Sequence, residues 1–434
     1  MRKVITYGTF DLLHHGHINL LKRAKALGDY LIVGITDEEF DRCRGKYNVV
    51  MSLSERIDQV KQLGIADEII IESYEGQKID DIFRYEIDVF CVGSDWESHF
   101  DYLKDYCQVV YLERTEGISS SDIRSRDVIK LGIVGSHSLQ LEKVISESTY
   151  VNGLDLIGYY GDSFLKLPFK ENVTNCLDYQ QLLSKVDAIY IASHPIEHYA
   201  HIKQAIQHKV NILVEWPLTL SAKEVEELYM LAKEQQVYLL SVNKLFFSPA
   251  FRRMKSIIKS NMIGKVISVD ATSTSLTKLH SYNIGSLIDW GGYGLLAVFD
   301  ILGFDYQDIR IDVKEIDGLD VFMRLCFKYL DSVADLKIAN GYKGDGQLMI
   351  MGEKGYIYVP APFWKLDYFE ARFEDLSQTK RYFFPLDGEG LRLMLVEFVH
   401  GCFNVKLRHQ LFDFDLYCAR IIEQYNRREK VWNI

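Results

Sequence analysis

"KVITYGTFDLLHHGH" (residues 3–17) decides how the first half of this chain is read. The apolar, β-favouring run "KVITY" predicts a strand. From Gly16 to Leu27, "INLLKRAKAL" repeats its apolar residues at helical spacing and predicts a helix. Between them the chain must turn sharply, and Gly8 and Gly16 supply the backbone freedom. The turn also carries His14, His15 and His17. His17 stands at the helix start, where free N–H groups and the helix dipole attract anions, and His14 lies three residues earlier, able to reach the same anion. Zinc ligation is the rival reading, but no Cys, Asp or Glu at ligand spacing completes a set. Buried, hydrogen-bonded histidines are a third reading, which the glycines and the helix start disfavour.

The same strand–helix rhythm continues. "YLIVGI" (30–35), "EIIIE" (68–72), "DVFCVG" (88–93) and "QVVYL" (108–112) read as strands. "SERIDQVKQLG", "DDIFRYE" and the stretch after "RTEGISSSD" (114–122) read as helices. Short apolar strands separated by helices imply βαβ units and a parallel sheet covered on both faces, with ligands at the carboxyl ends of the strands. A second start appears at "VIKLGIVGSHSLQLEKVI" (128–145), and strands recur at "LDLIGYY", "AIYIAS", "NILVEW" and "VYLLSVN". Past residue 245 the pattern becomes alternating, as in "KVISVDATSTS", "DVFMRLCFKYL" and "QLMIMGEKGYIYV", which predicts a large, mainly antiparallel open sheet. The expected class is α/β. A Rossmann-like domain spans 1–128, a second one 129–245, and an α/β domain 246–434. The helix around 119–129 links the halves without a Pro/Gly/Ser-rich tether.

The totals narrow the function. A net charge of −11 argues against a nucleic-acid binder, so any nucleotide handled is free and small. The seven cysteines are scattered and form no CxxC pair, as expected of reduced thiols without a zinc site. No run of about 18 apolar residues suggests a membrane span, and the N-terminal "MRKVITYGTFD" reads as a strand rather than a signal peptide. A cytoplasmic protein is expected.

HxGH behind the first strand, paired with "RTEGISSSDI" (114–123), resembles the cytidylyltransferase family, and the first 125 or so residues most resemble its bacterial glycerol-3-phosphate branch. The resemblance implies that an alcohol phosphate attacks the α-phosphate of CTP, with Mg²⁺ bridging the phosphates, for polymers of teichoic-acid or capsular type. It implies that His14 and His17 contact the triphosphate, joined by Lys46 and Arg114 as catalytic groups. Gly8, Thr9, Phe10, Asp11, Gly16, Asp95, Thr115, Ser119 and Ser120 would form the nucleotide site, and Arg44 and Arg56 would clamp the acceptor phosphate. His15 stands where that branch has tryptophan, and Ser94 replaces an acid beside Asp95. These departures bear on the acceptor, and choline- or ethanolamine-phosphate enzymes share the "RTEGISSSDI" signature.

From about residue 130 the chain resembles the Gfo/Idh/MocA oxidoreductases, through "NILVEWPLTLSAKEVEEL", "GSLIDWGGYGLLAVFDILG" and "GEKGYIYVPAPFW". That family implies NAD(P) as cofactor, and a sheet that often forms a homodimer or higher oligomer. Gly135 keeps the first fingerprint glycine, but His137 and Gln140 stand at the second and third positions, and Gly161 stands where the ribose-binding acid is expected. The family's "EKP" reads Glu215-Trp216-Pro217, which removes the lysine that donates a proton or orients substrate. Asp289 and Tyr293 match the family's catalytic acid and its His/Tyr. The losses favour a degenerate domain over the other reading, a reductase that makes the alcohol phosphate.

Overall fold

The computed structural model describes residues 1–43, 49, 51–74, 76–113, 128–136, 138–161, 173–277, 283–384, 386–403 and 411–434. The chain divides into two compact units, Met1–Val128 and Ile129–Ile434.

The first unit runs β1 (Lys3–Gly8), α1 (His15–Lys25), β2 (Tyr30–Thr36), α2 (Glu38–Cys43), α3 (Leu53–Gln62), β3 (Glu68–Glu72), α4 (Gln77–Tyr85), β4 (Val89–Gly93) and β5 (Gln108–Leu112). Its strands lie in the order β3-β2-β1-β4-β5, and every pairing is parallel. Consecutive strand residues point to opposite faces. Val4, Leu31 and Val33 therefore join Leu21, Ala24 and Val60 of α1 and α3 on one face. Ile5 and Ile32 join Ile82 of α4 on the other. Both faces are covered, which is why these strands read as continuous apolar runs; each fully buried aliphatic contributes roughly 1.5–3 kcal/mol. Helix α2, "EEFDRC", was not expected, because it is short, charged and without an apolar period.

The second unit opens with β6 (Ile129–Gly135), α5 (Leu139–Ser148), β7 (Leu154–Tyr160), β8 (Thr174–Asn175), α6 (Tyr179–Leu183), β9 (Ala188–Ala192), α7 (Pro195–Gln207), β10 (Asn211–Val214), α8 (Ala222–Glu234) and β11 (Leu239–Ser241). These strands form a parallel sheet ordered β11-β10-β9-β6-β7-β8. Then come α9 (Lys244–Phe247), α10 (Pro249–Lys259), β12 (Val266–Ser275), α11 (Ser286–Leu302), β13 (Asp308–Ile316), β14 (Leu319–Lys328), β15 (Val333–Asn340), β16 (Leu348–Gly352), β17 (Tyr356–Val359), β18 (Tyr368–Arg372), β19 (Lys380–Phe383), α12 (Leu391–Phe403), α13 (Phe412–Asn426) and β20 (Val431–Asn433).

The later strands form a nine-stranded sheet ordered β19-β18-β17-β16-β12-β15-β14-β13-β20. It is mainly antiparallel, as expected, but mixed. β12 runs parallel to β15, and β13 parallel to β20. A parallel pair needs a long crossover, and the chain between β12 and β15 supplies one with α11, which packs on both strands. Helix α13 returns to α8, placing Leu416 and Ala419 in the core beneath the six-stranded sheet. Its Asp415, buried, accepts from Tyr229 Oη and Ser241 Oγ at 2.7 Å each. Among the described residues no helix is long and apolar enough to cross a membrane.

Candidate functional site

In the first sheet the strand order reverses direction between β1 and β4, the topological switch point where open α/β sheets leave a crevice at their carboxyl ends. The strand β1 ends there at Gly8. The following loop is tightly constrained: Phe10 and Leu12 adopt left-handed φ of 52° and 47°, uncommon for bulky side chains. Tertiary contacts hold this loop. The Phe10 ring is buried beneath Gly8, where a Cβ would stand 3.1 Å from Phe10 Cε2. Thr9 Oγ1 donates to Asp41 Oδ1 at 2.6 Å. Asp11, also buried, accepts from the Met51 amide at 2.9 Å.

Arg56 corrects an expectation. It is not a surface phosphate clamp but fully buried, with Nη1 donating to the carbonyl oxygens of Thr9 (2.8 Å) and Thr36 (2.7 Å) and lying 3.5 Å from Asp41 Oδ2. Its role is to tie the loop to the end of β2 and to α2. The sequence carried no sign of this, because the partners lie 47, 20 and 15 residues away.

Beyond the loop, His14 caps α1, its Nδ1 accepting from the Gly16 amide at 3.1 Å. An accepting Nδ1 puts the proton of the neutral ring on Nε2. Three residues on, one helical turn brings His17 against it, with ring centroids 3.9 Å apart and planes 22° from parallel. Phe10 meets the His17 ring edge-on at 5.5 Å. Helix α1 has no acid in its first turn and carries Lys22, Arg23 and Lys25 in its last. Its first turn therefore carries no acid to offset the positive end of the helix dipole. The structure thus brings Gly8, Thr9, Phe10, Asp11, His14, Gly16 and His17 together. Asp95 follows the end of β4 in the turn Ser94–Trp96, and its side chain lies outside the described residues, as do Arg44, Lys46, Arg114, Thr115, Ser119 and Ser120.

In the second unit the corresponding reversal lies between β6 and β9. Gly135 ends β6 with φ +127°, and a Cβ there would stand 2.3 Å from Ala192 C and Ser193 N. Gly161 has φ +140°, and its Cβ would meet Gly135 O at 1.9 Å. No acid fits at Gly161, because the two turns touch through their backbones. His137 and Asp162 lie outside the described residues.

A cleft beyond these turns is lined by Gln140, Glu215, Trp216, Asn243, Asp289 and Tyr293, among others. Glu215, buried, accepts from Ser138 Oγ (2.8 Å) and Tyr190 Oη (3.0 Å). Burial raises the Tyr190 hydroxyl pKa well above its usual value, and Glu215 adds to the rise. Asp289 accepts from Asn340 Nδ2 at 2.9 Å. The indole of Trp216 lies on α11, where a Cβ at Gly292 would approach its Cδ2 to 2.9 Å. Burial, with help from Glu389 and Glu215, raises the Tyr293 hydroxyl pKa, and the Tyr293 ring stacks on Trp364 at 6.3 Å. Gln140 Nε2 and Asn243 Oδ1 are buried with no hydrogen-bond partner among the described residues.

Known proteins divide along the same line. Residues 5–126 match the family described as cytidylyltransferase-like, and residues 129–244 match the oxidoreductase family with an NAD-binding Rossmann fold. The glycerol-3-phosphate cytidylyltransferase of Bacillus subtilis is 53% identical over 124 residues, covering 29% of this chain and 95% of that protein. The Staphylococcus aureus enzyme of the same name is 48% identical, covering 29% and 93%. A 3-ketoreductase from Actinomadura kijaniata, solved with NADP and TDP-benzene, aligns with TM-score 0.63 at 16% identity over 71% of this chain and 99% of that one. At that identity the likeness shows the fold.

Proposed function

The chain belongs through its first unit to the cytidylyltransferase-like family and carries a Gfo/Idh/MocA oxidoreductase domain behind it, and from that premise we propose that this nucleotidyltransferase moves CMP from CTP to glycerol 3-phosphate. A phosphate oxygen of the acceptor attacks the α-phosphorus, the α–β anhydride bond breaks, and pyrophosphate leaves with CDP-glycerol as the other product. No covalent enzyme intermediate is needed, so catalysis consists of positioning and of neutralising the charge that spreads over the phosphate oxygens.

The observation that carries the reading is the stacked His14–His17 pair at the N-terminus of a helix with no acid in its first turn, on the switch point. The amides of α1 and the two imidazoles would face the triphosphate, with the backbone of Gly8–Asp11 approaching the nucleotide. Lys46 and Arg114 would complete the catalytic set, Arg44 the acceptor clamp, and Asp95, Thr115, Ser119 and Ser120 the nucleotide site. CTP would enter as its magnesium complex, the ion supplying charge neutralisation at the phosphates.

For the second unit the Gly135 cradle fits a dinucleotide: Gly135 and the α5 amides would hold its pyrophosphate, and NAD(P) so bound would supply hydride transfer. The residues around it favour binding without redox turnover. Trp216 donates no proton, and Glu215 already accepts from Ser138 and Tyr190. The test is a panel of glycerol, ribitol, choline and ethanolamine phosphates with CTP, ATP or GTP, read as pyrophosphate release with and without NAD(P)⁺. Release with CTP and glycerol 3-phosphate alone supports the reading. Release that prefers another nucleotide or acceptor overturns it, and reduction of added NAD(P)⁺ by either polyol phosphate, with loss of hydride from one of its carbinol carbons, overturns the non-redox assignment.

A further inference from the structure

Three lysines far apart in sequence meet on one carboxylate beside the second-unit cleft. Lys143 Nζ lies 2.9 Å from Glu389 Oε2, Lys244 Nζ lies 3.3 Å from the same oxygen, and Lys365 Nζ lies 2.5 Å from Oε1. One carboxylate thus faces three ammonium groups. The neighbouring Arg392 does not add to the excess, because it pairs with Glu147 at 3.0 Å. Burial pulls the Lys244 pKa down to about 8 although Glu389 opposes the shift, so a larger anion there would be welcome.

Each lysine is tied to the cleft. Lys143 lies one turn along α5 from Gln140, on the same face. Lys244 follows Asn243 directly, and Lys365 follows Trp364, the ring stacked on Tyr293. Gln140, Asn243 and Tyr293 all line the cleft. Gln140 Nε2 and Asn243 Oδ1 have no partner among the described residues and are more than nine-tenths buried. A donor and an acceptor left open in this way suit hydroxyl groups, which accept from one and donate to the other.

Glu389 itself is held in a left-handed turn. Gly388, Glu389 and Gly390 have φ of 57°, 56° and 85°. Such a turn suits the glycines and is uncommon for a glutamate. Its carboxylate is the only acid ion-paired to the three lysines among the described residues.

We propose that Lys143, Lys244 and Lys365 form the phosphate subsite of a small polyhydroxylated phosphomonoester in the second unit, with Glu389 as the internal anion that this phosphate displaces. The hydroxyl groups of the ester would reach Gln140 and Asn243. The proposal deepens the non-redox reading of the second unit and does not depend on cytidylyl transfer by the first.

The test uses the full chain with ribitol 5-phosphate, ribitol and inorganic phosphate as probes, read by peptide-resolved hydrogen exchange and by calorimetry. Ribitol 5-phosphate should protect peptides covering 139–148, 243–248 and 386–392. Inorganic phosphate should protect them more weakly, and ribitol not at all. The double variant Lys143→Gln/Lys365→Gln, at two solvent-exposed lysines, should weaken binding tenfold or more. Glu389→Gln should tighten it several-fold, the reverse of what a purely structural ion pair gives. CTP turnover with glycerol 3-phosphate should be unchanged in both. Equal binding in wild type and the lysine variant, protection confined to residues 1–113, or equal protection by ribitol would overturn the proposal. Protection by NADP⁺ but not by ribitol 5-phosphate would overturn it in favour of a cofactor-phosphate site.

Discussion

The chain holds two crevices of one topological kind. Each sits where a parallel sheet reverses its strand order, and each begins with a strand ending in glycine, Gly8 in one and Gly135 in the other. Their contents differ. In the first, the loop after Gly8 is held in left-handed conformations at Phe10 and Leu12 so that two imidazoles and a helix N-terminus share one side. In the second, the strained positions are glycines, and Trp216 lies flat over Gly292 where the resembled family places a lysine. The sheet provides the crevice, and the residues at the strand ends decide whether it does chemistry.

Removing the support of each crevice should break them differently. Arg56→Met leaves Asp41 buried without its guanidinium, and loss of one partner of a buried pair costs about 3–5 kcal/mol. Urea unfolding of the first unit should show that loss, together with loss of pyrophosphate release, because the Thr9 carbonyl loses its anchor. Full turnover in that variant would refute the loop-anchoring role. Trp216→Ala should cost a similar amount, about 3–5 kcal/mol, from the cavity it leaves. It should nevertheless leave cytidylyl transfer at the wild-type rate, and a fall in turnover of the folded variant would contradict the division of labour.

A smaller free-energy change is expected from His17→Ala, which takes away one of the two imidazoles proposed to face the triphosphate while the fold stays intact. Turnover should fall by a factor on the order of 10² with little change in unfolding midpoint; wild-type turnover would sink the assignment.

An effect of about the same size as that of His17→Ala is set by pH in the second unit. Burial pushes the Asp415 carboxyl up to about 7, although Tyr229 and Ser241 donate to it. A carboxyl whose folded pKa lies above its unfolded value favours the folded state at low pH and loses that contribution as pH rises. The second unit should therefore be more stable at pH 5 than at pH 8, and Asp415→Asn should flatten the difference. A profile unchanged by Asp415→Asn would assign the dependence elsewhere.

How much was legible follows from the range of the interactions. The run "KVITY" could be read as a strand because a buried parallel strand is apolar on both faces, and β1 covers it. The HxGH turn could be read as a glycine turn into a helix because His14, Gly16 and His17 are neighbours in the chain. Helix α2 could not be read, because its acidic side chains give no period. Arg56 was misread for a related reason: a basic residue near a phosphate motif looks like a clamp until its burial is known. The parallel β12–β15 pairing was hidden too, since alternation tells which face a residue takes but not which strand lies beside it.

By itself the sequence determined the two parallel-sheet units, the helix and glycines of the HxGH turn, and the change from strand–helix alternation to a long sheet after residue 245. All of these depend on residues a few positions apart, where backbone periodicity and turn chemistry act. The tertiary structure alone decided that Arg56 is a buried anchor, that Trp216 rests on Gly292, and that Lys143, Lys244 and Lys365 surround Glu389. Those outcomes rest on contacts between residues tens to hundreds of positions apart, and burial and charge pairing exist only once the chain has closed on itself.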